Sequence, residues 1–214
     1  MSRTFLNGIT DPRSASAGKV YTSGAGGAGG WTNPIAPPWT ASDNGLLTWT
    51  YDPALATAAV APGSGTVYLS AVQLRVAATV SGVMLAQAGA GTSMTSGQNF
   101  LGLIDMSGTL QAVTADLSTT FTTANQLVNP NFTTPYAAPA GVYWIALLVN
   151  STGTIPTFRT SMASTSASWS ASVNANLTAA TVRNGTNGSG KTSLTSITPS
   201  TNGTTGFMWW LALR

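Results

Sequence analysis

Few side chains in this protein are able to do chemistry. Its carboxylates are Asp11, Asp43, Asp52, Asp105 and Asp116, its amines are Lys19 and Lys191, and it has no His, Cys or Glu. Without His the commonest general base at neutral pH and the commonest metal ligand are missing. Without Cys there are no thiolate nucleophiles, disulfides or Cys-based zinc and iron–sulfur sites. Glycoside hydrolysis needs two carboxylates flanking the scissile bond. Asp105 and Asp116, on either side of the Ser107-Gly108 turn, are the pair to weigh for that role. The expected reading is local: Asp105 accepts turn hydrogen bonds ahead of Ser107-Gly108, and Asp116 caps a turn before Ser118-Thr119. A calcium-type oxygen site is a third use. Ser and Thr nucleophiles abound, but Lys19 and Lys191 stand in Gly-rich stretches that would not hold an activating amine in place. The residues therefore assign no catalytic group, cofactor or metal.

One motif requires a decision. Gly185-Thr186-Asn187-Gly188-Ser189-Gly190-Lys191-Thr192 satisfies the G-x-x-x-x-G-K-[ST] pattern of phosphate-cradling loops. That loop works between a strand and a helix whose N-terminus faces the phosphates. Here Ser193-Leu194-Thr195-Ser196-Ile197-Thr198 reads as turn and strand, Pro199 stops any helix, and no acidic residue follows Asp116 to hold magnesium. An ordinary Gly-rich surface turn is expected.

The aromatic residues offer binding rather than chemistry. Tyr143, Trp144, Trp209 and Trp210 lie inside apolar runs and are candidates for core or subunit interface, whereas Trp169, in Ser166-Ala167-Ser168-Trp169-Ser170, is the candidate platform for a sugar ring. Trp31 and Trp39 lie in a Gly- and Pro-rich stretch and are the candidates for docking on a partner or neighbouring subunit, folding back onto the body being the alternative.

Charged residues are 6% of the chain against roughly 25% in an ordinary domain, so Ser, Thr, Asn and backbone groups must carry solubility. The net charge of +3 comes from scattered cations, with no basic cluster to neutralise phosphates, and nucleic-acid binding is not expected. The opening residues do not read as a signal peptide, and the longest apolar runs, near 142–149 and 207–213, are shorter than the roughly 20 residues a helix needs to cross a bilayer. A soluble protein made in the cytosol, without membrane insertion, is expected.

These residues are positioned by strands. Residues 1–44 read as an extended N-terminal anchoring arm, because the Gly24–Gly30 run has little to bury and Pro34, Pro37 and Pro38 oppose regular ladders. Residues 45–214 read as the body. Strand candidates are Leu46–Tyr51, ended by Asp52-Pro53; Val67–Val76, whose apolar register changes near Ser70-Ala71 through a bulge or because the strand serves two surroundings; Val83–Ala86, after Ser81-Gly82; and a hairpin of Phe100–Asp105 with Leu110–Val113. Val142–Val149 is apolar on both alternating sets, so it is expected to be central, with its second face under another layer, a loop or a second subunit. Phe207–Leu213 repeats the pattern. Thr165–Val173 and Asn176–Val182 are expected to be short strands. No segment sustains a 3.6-residue apolar period, so an all-β, antiparallel jelly-roll β-sandwich with an N-terminal arm follows.

Four segments resemble the jelly-roll modules of virion proteins from tailed phages of actinobacteria, found in minor tail, fibre and capsid-surface proteins. They are Gly45–Ala54; Phe100–Asp105 with Gly108-Thr109-Leu110; Thr114–Ser118; and Pro139–Asn150. The resemblance covers roughly residues 45–160 and the closing strand. It implies a non-enzymatic structural role in a virion assembled in the host cytoplasm, contact with other virion proteins, a homo-oligomer (commonly a trimer), and adhesion to host cell-wall glycan. A minor tail or tail-tip protein is the first expectation; a capsid decoration or head-fibre protein held through its arm, or a carbohydrate-binding module, are the others.

Overall fold

The fold was obtained as a computed structural model that describes residues 20–23, 29–32, 39–161 and 174–214. Trp169 and the strand expected over Thr165–Val173 lie outside the described residues. The chain divides into two compact units, residues 1–40 and 41–214. In the first, β1 (Val20–Ser23) and β2 (Gly29–Thr32) pair antiparallel from Val20 opposite Thr32 to Ser23 opposite Gly29. A regular ladder thus forms in a segment whose composition argued against one, with Trp31 in β2.

The second unit opens with a 3-10 turn, Ala41–Asn44, so the body includes four residues that composition assigned to the arm. Its strands are β3 (Thr48–Trp49), β4 (Ala58–Val60), β5 (Val67–Leu74), β6 (Ala78–Gly89), β7 (Phe100–Asp105), β8 (Leu110–Val113) and β9 (Gln126–Val128). There follow β10 (Asn131–Ala138), β11 (Gly141–Leu148), β12 (Thr157–Thr160), β13 (Asn184–Thr186), β14 (Gly203–Thr204) and β15 (Leu211–Leu213). One sheet has the order β14-β13-β5-β11-β7-β8. In the other, β3-β15-β6-β12-β4, the long β6 also pairs with β9 and β10. All pairs are antiparallel, and a bridge between Thr114 and Phe132 joins the end of β8 to β10. The body is an all-β structure of two antiparallel sheets packed together.

Three apolar clusters hold it. The largest lies between the sheets and takes Val72, Leu74, Ile145 and Leu147 from one and Val83, Leu85, Trp209 and Leu211 from the other. Strand β11 explains the second. Tyr143, Ile145, Leu147 and Val149 enter the inter-sheet core, while Trp144, Ala146 and Leu148 point outward into a cluster closed by Leu194 and Ile197. The chain's own segment after β13 covers this face, so its apolar character needs no second subunit. Over β15 and the two residues before it, the same division sends Trp209, Leu211 and Leu213 inward, and Trp210 and Ala212 outward under Leu46, Ala41, Trp49 and Tyr51. Burial of such side chains stabilises each by roughly 1.5–3 kcal/mol, which explains why both outer faces acquire lids.

Several local readings are corrected by these long-range pairings. β5 pairs with β11 residue for residue from Val67 to Leu74, which decides between the two readings of the pattern change at Ser70-Ala71 against a bulge. It marks a strand with a different apolar surrounding on each face. The strand expected over Val83–Ala86 is longer at both ends, so Ser81-Gly82 lies inside β6, where a Cβ on Gly82 would come within 2.3 Å of the Pro130 carbonyl oxygen. Asn176–Val182 is not a strand: Ala179–Thr181 is a 3-10 turn with a capping box between Thr178 and Thr181.

Candidate functional site

The two carboxylates weighed as a catalytic pair sit at opposite ends of the β7–β8 hairpin. Asp105 faces Thr109 at the turn, whereas Asp116 lies beyond β8 and accepts from the backbone N–H of Asn99, the residue before β7. Six residues of strand separate the two ends, about 20 Å at 3.3–3.4 Å per residue. Paired glycosidase carboxylates stand roughly 5–9.5 Å apart. The two are separate turn anchors, in line with the local reading of each.

Each anchor is saturated. Asp105 Oδ1 accepts from Ser107 N (2.9 Å), Ser107 Oγ (2.5 Å) and Thr109 N (3.0 Å), and Oδ2 accepts from Gln111 Nε2 (2.6 Å). Asp116 Oδ1 accepts from Asn99 N (3.0 Å) and Oδ2 from Ser118 Oγ (2.5 Å). Burial pushes both carboxyls up, but these hydrogen bonds outweigh it and hold both below their ordinary value of 3.8. The stability they add is complete above the unfolded-state value and is lost as pH falls through the lower folded values. Stability is therefore expected to hold level from pH 7 to about pH 5 and to decline below about pH 4. The double variant Asp105→Asn, Asp116→Asn should show a shallower acid limb in urea titrations. An acid limb identical to that of the parent protein would show that other groups carry it.

The phosphate-loop motif has the wrong surroundings. Residues 185–192 leave β13 and run into irregular chain, with no helix beginning at Lys191; the next helical turn is the short 3-10 turn Pro199–Thr201. Two backbone N–H groups that a phosphate would need are taken by carbonyls: Asn187 N donates to Val67 O (2.9 Å) and Lys191 N to Gly65 O (2.8 Å). Asn150 Nδ2 donates to Lys191 O (2.9 Å). The motif is a clasp joining this turn to the loops before β5 and after β11.

Tyr143, Trp144, Trp209 and Trp210 are all buried. The Trp144 indole N–H donates to Val182 O (2.7 Å), and Trp209 packs edge-on against Tyr68, Phe158 and Phe207 with ring centroids 5.0–6.0 Å apart. None of the four offers a face to a sugar. Trp39, by contrast, is 73% exposed. Leu55, Val76 and Leu127 are also exposed apolar side chains, which composition gave no means of separating from core residues. Topology gathers some of this apolar surface: Val76, between β5 and β6, and Val142, at the start of β11, share one end of the sandwich with exposed Ala77, Pro139 and Ala140. The opposite end gathers polar loops. There Ser64, Thr92, Ser93, Asn150 and Ser151 are linked by hydrogen bonds, among them Ser151 Oγ to Thr92 O (2.7 Å) and Asn150 N to Asn99 Oδ1 (2.9 Å). Sequence reasoning missed this network because Asn, Ser and Thr are common in every turn of the chain.

Among the described residues no three His, Cys, Asp or Glu side chains converge to hold a metal ion, and no helix is long and apolar enough to cross a membrane. The fold and its surface define an all-β sandwich with an apolar and a polar end. Comparison with protein-family models, with curated proteins and with solved structures finds no match to this chain.

Proposed function

We propose that this protein is a structural component of a phage virion that works through contact rather than catalysis, placed at the tail or tail tip with its sandwich as an exposed knob. The observation that carries the reading is the use of the scarce reactive groups as framework. Asp105 and Asp116 anchor turns, the glycine- and lysine-bearing loop clasps two others, and the large aromatics fill the core. What remains outside, among the described residues, is a charge-poor surface of Ser, Thr and Asn with an apolar patch at one end, suited to packing among other virion proteins or on a neutral glycan of the host wall. The order of chain crossings supports a jelly-roll topology: β5, β11 and β13 lie in one sheet as β13-β5-β11, while β6, β10 and β12 lie in the other with β6 between β10 and β12.

Gold-labelled antibody imaging of intact virions tests the assignment. Label at the tail or its tip is expected. Label over the head would replace this reading with capsid decoration, which the separate compact unit of residues 1–40 favours as the second assignment. Purified particles that carry no label would remove the virion role.

The arm predicts its own experiment. Deleting residues 1–40 should leave a body that melts cooperatively, because 41–214 is a compact unit with its own core, while incorporation into particles is lost. Normal incorporation would remove the anchoring role from the arm and from Trp31 and Trp39. Self-association, with a trimer favoured, belongs to the same proposal. Among the described residues, the most exposed apolar side chains available to it are Trp39, Leu55, Val76 and Leu127, since most of the doubly apolar strands is covered by the chain itself.

A further inference from the structure

We propose that Ser70 and Asn184 hold a resident water molecule inside the sandwich, with the Trp209 indole N–H as its third partner. Ser70 on β5 and Asn184 on β13 are directly opposed in the ladder, so their side chains stand on the same face of the sheet, with Cβ atoms roughly 4.5–5.5 Å apart. Ser70 is 0% and Asn184 1% exposed. Ser70 Oγ and Asn184 Oδ1 are both without a hydrogen-bond partner, a costly state for buried polar atoms unless something bridges them. Trp209 Nε1 is a third buried group without a partner. Its ring packs on Tyr68, two residues from Ser70 on the same strand, and on Phe207, whose carbonyl accepts from Asn184 Nδ2.

The chemistry of the three groups is complementary around one water. The indole N–H donates to it, the Ser70 hydroxyl donates or accepts, and Asn184 Oδ1 accepts from it. Three partners are what buried waters typically find. The position also has a structural consequence. The Asn184 amide clasps Thr205 and Phe207, the segment leading into β15, and a water on Oδ1 fixes that amide in the orientation the clasp requires.

A crystal structure of the full chain at a resolution that shows ordered solvent tests this directly. The expected result is a water peak within about 2.7–3.2 Å of both Ser70 Oγ and Asn184 Oδ1. A direct Ser70 hydroxyl to Asn184 Oδ1 bond, or a site without such a peak, overturns the proposal. Thermal melting of Ser70→Ala gives a second readout. Loss of a bridged hydroxyl should lower the melting temperature by about 2–4 °C, whereas removal of an orphaned hydroxyl leaves it unchanged or raises it, which would overturn the proposal equally.

Discussion

Deleting residues 207–214 is expected to abolish cooperative folding of the body. The final strand is not an appendage: β15 lies between β3 and β6, and the residues just before it hydrogen-bond to the end of β12, Trp210 N to Arg159 O (2.9 Å) and Ser161 N to Met208 O (3.1 Å). The lost segment supplies Trp209, Leu211 and Leu213 to the inter-sheet core and Trp210 and Ala212 to the outer cluster, and it leaves Leu46, Trp49 and Tyr51 with nothing to cover. Thr50 Oγ, which accepts from Leu211 N and donates to Trp209 O, loses both partners. Replacing Trp209 alone by Ala should cost about 3–5 kcal/mol, a large share of the roughly 5–15 kcal/mol that stabilises an ordinary domain. Near-ultraviolet circular dichroism and a urea titration measure both effects. Soluble truncated protein with a sharp melting transition would show that the two sheets are held by other contacts.

The second large effect is expected from Gly108→Ala. Gly108 sits in the β7–β8 turn at φ +92°, a conformation that L side chains rarely adopt. A Cβ there would stand 2.2 Å from Ile197 O and 2.8 Å from the Pro199 ring. Backbone strain of about 1–3 kcal/mol adds to an overlap that must displace the segment above the turn. That segment is the lid over Trp144: Ile197 N donates to Gly108 O (2.7 Å), and Leu194 and Ile197 close the outer cluster. The substitution should therefore destabilise the protein by about 3 kcal/mol or more and expose the Trp144 side of the sheet. A red-shifted tryptophan emission and faster proteolysis between residues 187 and 202 would report it. Gly97 is the control, because it also has positive φ but a methyl group added there would have no other atom within 4 Å. Gly97→Ala should show the smaller effect of backbone strain alone.

Much of this protein was legible in its residues. The β7–β8 hairpin, β5, β11 and the closing apolar run are local patterns, set by alternation along a few residues and by turn chemistry such as Ser107-Gly108. The doubly apolar character of Val142–Val149 required a covered second face, and residue types alone excluded histidine- and cysteine-based chemistry. The all-β class followed from the same patterns.

Only the tertiary structure decided what covers what. The lid over Trp144 comes from residues more than 40 positions later, and the lid over Trp210 from residues about 160 positions earlier; alternation within a strand specifies that a face is buried but not the occupant. Gly82 stands outside the strand read at Val83–Ala86 until the long β6 and the approach of Pro130 enclose it, and only the hairpin shows that Asp105 and Asp116 are held at its two ends. In the polar segment after β12, where β-branched residues recur without apolar alternation, β13 forms because β5 offers it an open edge, while Asn176–Val182 finds no such partner among the described strands and turns instead. The sequence by itself determined the periodicities and the chemistry that is absent. The fold determined the pairings between distant segments, because those depend on which edges and faces remain open after the local elements have formed.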